Sequence, residues 1–349
     1  VGVGVLASIG LVVGLLVALD RLASDQSTRH GPSASLAIDL GDDFISHAAF
    51  DQRAENLVVL DATGRASIHR LVPQPARSEW GGSAGFAYRA VFDPTGRTLA
   101  TAHLDRTVRL WSTGETKLRN TWDAAVSEIS ALAFSPDGRI LAIASDDGRI
   151  TLREVATGLP AARFTTGRSY PRSLAFSPSR GLLAAGEADG QVLIFDLTTG
   201  RMRPSPLGHK VAAVALAFSP DGRILATGSP ADTHIQLWDV PAEAPLTTLP
   251  SPGDTVSCLR FAPDGRSLAS GHTSGAIRLW DLATLAPTRI LHEHVDWVIA
   301  LAWSPDGTIL RSVGRGHGPA RSWSIVPGAA NTANALSIST TSPQAPQSK

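Results

Sequence analysis

Seven times along the chain a short apolar run ends in an aromatic ring and passes directly into a turn, at Phe50, Phe92, Phe134, Phe176, Phe218, Phe261 and Trp303. Successive rings are 42, 42, 42, 42, 43 and 42 residues apart. Each period has one internal grammar, clearest in the third. Ile129 to Phe134 is apolar, Ser135-Pro136-Asp137-Gly138 is a turn, Ile140 to Ser145 is apolar, Asp147-Gly148 turns again, and Ile150 to Val155 follows. Proline presets φ, aspartate bonds the backbone ahead of it and glycine accepts positive φ, so these turns predict hairpins. The third stretch alternates apolar and polar, as in Val108-Arg109-Leu110-Trp111 and Ile277-Arg278-Leu279-Trp280, the mark of a half-exposed strand. A fourth stretch, such as Ala161 to Thr165, completes most units. Four antiparallel strands per period make a small sheet that cannot bury its apolar face alone and is stabilised by stacking on its neighbours.

The motif Leu-Ala-Phe-Ser-Pro-Asp-Gly stands whole at Leu132 to Gly138 and at Leu216 to Gly222, and Leu-Trp-Asp follows at Leu237 to Asp239 and Leu279 to Asp281. Recurring at this spacing, these residues resemble the WD-repeat β-propeller family over positions 35–327. The resemblance implies an all-β fold, a seven-bladed propeller of four-stranded antiparallel blades. Departures are local. Gln52-Arg53-Ala54 replaces the turn of unit one, His69, Arg153 and Phe195 stand at tryptophan positions, and Arg180 stands where unit four should have its turn glycine. Unit seven stops after its third strand at Trp323-Ser324. Its fourth strand is expected from Leu36 to Leu40, because in the family the two ends pair and so remove exposed edges.

Composition narrows the function classes. Lysine plus arginine and aspartate plus glutamate are 31 each, so net charge draws the chain to neither nucleic acid nor acidic lipid. The single cysteine, Cys258, excludes an internal disulfide framework, and no zinc-type Cys/His spacing occurs. Alanine, arginine and glycine content, with no Asn-x-Ser/Thr acceptor site, leans toward a bacterial source.

The ends differ from the periodic part. Residues 1–19 are apolar apart from Ser8 and glycines, and as a helix would reach ~28 Å, close to a bilayer's hydrocarbon thickness. They are read as a single transmembrane helix, a secretory signal being the competitor. Residues 20–34 read as a flexible linker and 328–349, rich in Ala, Ser, Thr and Pro, as a disordered tail. The chain opens on valine, and its natural start is expected upstream.

Candidate chemistry is sparse. No nucleophile elbow, kinase loop or phosphate-binding loop is present, so neither a catalytic residue nor a cofactor is expected. His292, His294 and Asp296 alternate as metal ligands would, but His294 lies nine residues before Trp303 as His209 lies before Phe218, which favours a structural role. In the WD-repeat family a histidine, a hydroxyl residue, a turn aspartate and the tryptophan form a buried hydrogen-bonded chain. The resemblance assigns this role to His209, Thr227, Asp232 and Trp238 in unit five. Family propellers engage protein partners at positions six and four before the repeating aromatic. That rule selects Phe44, Phe86, Tyr88, Tyr170, Arg172 and Trp297 as a partner-binding face, with Phe44, Phe86, Tyr88 and Trp297 on units that become neighbours when the ring closes.

The resulting expectation is a membrane-anchored, non-catalytic scaffold for protein partners. Two alternatives stand beside it: the sensing part of a larger membrane receptor, and a propeller enzyme, which requires carboxylates lining the central channel.

Overall fold

The computed structural model describes residues 36–40, 43–72, 76–79, 85–167, 169–203 and 208–325. Among these, every regular element is a β-strand, and the strands form seven four-stranded antiparallel sheets. Six sheets use four consecutive strands each. In blade three the order is Ile129–Phe134, Ile140–Ser145, Arg149–Glu154 and Pro160–Thr165. Blade seven joins Val298–Trp303, Ile309–Gly314 and Ala320–Ser324 to Leu36–Ile38. The register of that closure is Leu36 opposite Ser322, Ala37 opposite Arg321 and Ile38 opposite Ala320. The expected pairing of the two extremities is therefore present.

The Ser-Pro-Asp-Gly turns explain why each apolar run reverses. In blade three the Ser135 hydroxyl donates to Asp137 at 2.6 Å and accepts from the Ile140 amide at 2.9 Å, while the Arg139 amide donates to Asp137 at 3.0 Å. Blade five repeats this through Ser219 and Asp221, and blade seven through Ser304 and Asp306. These bonds hold all three turn carboxyls below the usual carboxylate range, the serine bond being the largest cause.

The two irregular turns find local substitutes. In blade one the Asp51 carboxylate accepts from the amides of Glu55 and Asn56 and from the Asn56 side chain at 2.8, 3.1 and 2.7 Å, and Ala54 takes the left-handed conformation. In blade four positive φ moves one position on, to Gly181, which frees Arg180 from a backbone geometry that costs side-chain-bearing residues energy.

Apolar burial lies in the seams between blades. Seven clusters of buried residues each combine adjacent blades, as Leu237, Leu249 and Val256 do between blades five and six. The seam of blades seven and one includes Ile38 and Leu40, so the N-terminal strand adds core as well as hydrogen bonds. Seam approach is close enough to require glycine in places. A Cβ on Gly271 would stand 2.5 Å from Cys258 Sγ and 2.8 Å from Val298 Cβ of the next blade.

The readings of residues 1–19, 20–34 and 328–349 lie outside the described residues. Among the described residues no helix is long and apolar enough to cross a membrane.

Candidate partner-binding face

Because the strands within a blade are antiparallel, every first strand begins, and every second-to-third turn lies, at one end of the ring. The exposed apolar residues Phe86, Leu104, Val126, Val211, Val295 and Trp297 all fall on those loops. The opposite end carries the Ser-Pro-Asp-Gly turns. The first end is therefore the richer in exposed apolar residues among the described residues, while the turn end carries Val72, Leu159 and Leu285 on its third-to-fourth connections.

The densest part of the apolar end is the junction of blades seven and one. The Ile45 amide donates to Gly316 O at 2.9 Å and the Gly316 amide returns the bond at 3.1 Å, which fixes the loops relative to each other. The Arg315 amide donates to Trp297 O at 2.7 Å. This backbone frame places the Arg315 guanidinium 5.8 Å from the Phe44 ring and 5.7 Å from the Trp297 ring, a bridged cation–aromatic arrangement. His317 meets the Phe44 ring edge-on at 5.6 Å. Trp297 is 38 % exposed and its neighbour Val295 91 %.

The other selected positions have different surroundings. Phe86 is partly exposed and lies against the blade-one turn at Gly64. Tyr88 is tied to the next blade, its phenol oxygen accepting from the Ile129 amide at 2.9 Å; burial, the largest cause, pushes the phenol up to about 12. Arg172 stacks over Tyr170 at 5.2 Å and borders the central channel. The six positions thus divide into a pair bridged by Arg315, of which Trp297 is exposed and Phe44 half-buried, an isolated Phe86, an inter-blade strut and a channel-side pair.

A backbone irregularity accounts for this division. First strands shift register between Ile45 and His47, Ala87 and Arg89, Ile129 and Ala131, Pro171 and Ser173, Val256 and Cys258, and Val298 and Ala300. The bulge re-aims the residue four before the aromatic. Counting along an ideal strand therefore does not give the side-chain directions of Tyr88 and Arg172. Arg315, on a second-to-third turn, lies outside the counting rule altogether, and its glycine-flanked setting in Gly314-Arg315-Gly316 is the only sequence signal for it.

The buried polar chains also depart from expectation. In blade five His209 Nδ1 donates to Asp232 at 2.7 Å and the Thr227 hydroxyl meets His209 Nε2 at 2.9 Å. Trp238 does not join them: its indole nitrogen is buried without a hydrogen-bond partner, and the ring packs as an apolar group in the seam of blades four and five. Complete links to tryptophan occur elsewhere. Trp111 donates to Thr101, Trp280 to Ser270 and Trp323 to Ser312, each at 2.8 Å. Those hydroxyls meet His103, His272 and His294 at 2.8, 2.8 and 2.7 Å. His103 and His272 stand two residues after the hydroxyl on the same strand, a spacing that places both on one face. Burial, the largest cause, lowers His103 and His294 to about 4 and also lowers His209 and His272, so these imidazoles are neutral at pH 7.

His209, Asp232 and His234 have ligand atoms within 4.8 Å of one another. Both His209 nitrogens are already bonded, to Asp232 and Thr227, so metal coordination would break an existing buried link. His294 is likewise bonded to Ser312. Among the described residues no carboxylate lines the channel where the first strands enclose the axis; the charged lining there consists of arginine.

Comparison with known proteins agrees with the blade pattern. The family model described as WD domain, G-beta repeat matches residues 81–112, 161–196, 203–239, 243–281 and 285–317, together just over half of the chain. The model of the anaphase-promoting complex subunit 4 WD40 domain matches residues 120–174. No curated protein matches the chain. A chain in the crystal structure of the mitotic checkpoint complex is similar in fold, with a TM-score of 0.76 and 17 % identity over 86 % of this chain and 97 % of that one. Repeats, sheet order and end-to-end closure together make this chain a member of the WD-repeat family.

Proposed function

We propose that the ring is a non-catalytic scaffold that binds a protein partner on its apolar-rich end, centred on the junction of blades seven and one. The observation that carries this reading is the Phe44–Arg315–Trp297 arrangement with Val295 projecting beside it. Aromatic and arginine side chains on a rigid frame are the groups that dominate protein interfaces, because they offer large contact area with little freedom left to lose. Membership in a repeat family that includes components of multiprotein assemblies supports the same reading.

The test is capture of partners by the immobilised ring from extracts of its source cells, compared with a Val295→Asp/Trp297→Ala variant. The variant is expected to lose its specific partners while keeping a single cooperative unfolding transition, which shows that the ring is still folded. Equal capture by both proteins would place the binding surface elsewhere.

A further inference from the structure

The seven first strands enclose a channel along the ring axis with a volume of about 250 Å³. Most of its lining is small or apolar, but three arginines, Arg89, Arg172 and Arg260, enter from blades two, four and six. None has a carboxylate within 4.0 Å among the described residues. The Arg89 Nε and Nη1 donate to the carbonyls of Ser130 and Tyr88 at 3.3 and 3.1 Å, leaving three of its N–H groups free of protein acceptors. Arg172 is stacked over Tyr170. Arg260 is exposed to water in the lumen. His47, also in the lining, is driven to about 4 by burial and then by Arg89, so it adds no charge at pH 7.

Guanidinium groups keep their charge at any physiological pH, so the lumen has three fixed positive charges. Two carboxylates, Glu128 and Asp146, lie on the exposed rim of blade three, where they interact through space with each other and, in the case of Asp146, with Arg89 and Arg172. Water screens them there, and neither reaches the deeper Arg260. Confining like charges with only screened rim carboxylates to oppose them is costly, and a bound anion offsets that cost. The three arginines stand one, three and four residues before their repeating aromatics, so their backbones spread over ~10 Å of channel depth. A chain of linked oxyanion groups offers oxygens at more than one depth and more than one negative charge, and so matches both the spread and the charge better than a single tetrahedral ion does. The cavity is smaller than the ~300–1,000 Å³ typical of drug-sized ligands, which favours a compact anion over a large one.

We propose that the central channel binds a small anion carrying two or more linked phosphoryl groups, held by Arg89, Arg172 and Arg260. The guanidinium fork suits such oxygens because it offers paired donors in one plane. The site lies off the Phe44–Arg315–Trp297 face and does not depend on the scaffold reading.

Isothermal titration of the full chain with inorganic diphosphate, without divalent cations, tests this. Saturable one-to-one binding is expected, weaker for orthophosphate, with affinity reduced tenfold or more in Arg172→Gln and in Arg260→Gln. Thermal unfolding of each variant establishes that it is folded, and Arg315→Ala and Trp297→Ala are expected to bind diphosphate as the parent does. The proposal is overturned by absence of saturable binding, by undiminished binding in the Arg172→Gln/Arg260→Gln double variant, or by loss in Arg315→Ala alone. Binding of hexaglutamate with no binding of diphosphate would overturn it in favour of an acidic peptide.

Discussion

At the scale of single residues, equivalent positions in different blades do different work. Trp280 and Trp238 occupy the same place in their repeats, yet Trp280 donates to Ser270 while Trp238 has no hydrogen-bond partner. Removing a bonded N–H strands its buried acceptor, at a cost of ~1–3 kcal/mol, whereas removing an unbonded one relieves a penalty. Trp280→Phe is therefore expected to destabilise the ring by ~1 kcal/mol or more beyond Trp238→Phe, both variants sharing the same loss of ring volume. Urea unfolding of the pair measures this, and equal losses would mean that the Ser270 link contributes nothing. The chain of His209, Thr227 and Asp232 was legible because the residue types recur at family spacing. The His103 and His272 links were not, because the family pattern places the histidine before the first strand and not two residues after the hydroxyl on the second.

At the scale of elements, the strands were legible almost in full, since proline, aspartate and glycine punctuate most periods and the apolar runs between them have strand length. Even the borrowed fourth strand of blade seven could be read, from a missing strand at one end and the mainly apolar Leu36 to Leu40 at the other. Side-chain direction on the first strands could not. A bulge before the aromatic breaks the alternation, so Tyr88 becomes an inter-blade strut and the arginines of the channel fall in no single column of the repeat. The borrowed strand itself invites a test. Without Leu36–Ile38 the Ala320–Ser324 strand has one unpaired edge, and such edges recruit other chains. A protein beginning at residue 43 is expected to form concentration-dependent oligomers in analytical ultracentrifugation. Ile38→Ala, which keeps the backbone pairing but empties part of a seam, should stay monomeric and lose ~2–5 kcal/mol. A monomeric truncation with unchanged thermal stability would show the strand to be dispensable.

At the scale of the whole molecule, buried titratable groups are spread around the ring and make its stability depend on pH. His103 and His294 are lowered to about 4 in the folded chain, against 6.5 when unfolded, so from pH 6.5 down to about 4 the unfolded state takes up protons that the folded state excludes. Each costs stability on acidification, by up to ~1.4 kcal/mol per pH unit. Glu187 acts in the opposite sense. Both its carboxylate oxygens are buried without a hydrogen-bond partner at 2 % exposure, and burial, the largest cause, raises it to about 7 from 4.5. The nearby Thr166 hydroxyl, which bonds the carbonyls of Gly148 and Ser169, offsets that rise only in part. The folded form of Glu187 keeps a proton that the unfolded form has lost between pH 4.5 and 7, so its penalty fades as pH falls through 7. The histidines outnumber it, and the melting temperature is expected to drop between pH 6.5 and 5. Glu187→Gln should raise it at pH 8 and steepen the acid drop, as calorimetry across pH would show; a variant less stable at pH 8 would mean that the carboxylate is compensated in the fold. Closure sets a further condition, one of time. Leu36 leaves the ribosome 286 residues ahead of its partner Ser322, an interval of roughly 15–60 s at ~5–20 residues per second. Throughout that wait the nascent arc exposes an unsatisfied seam at each end, so safe biogenesis of this ring depends on what shields those two surfaces until the last blade is made.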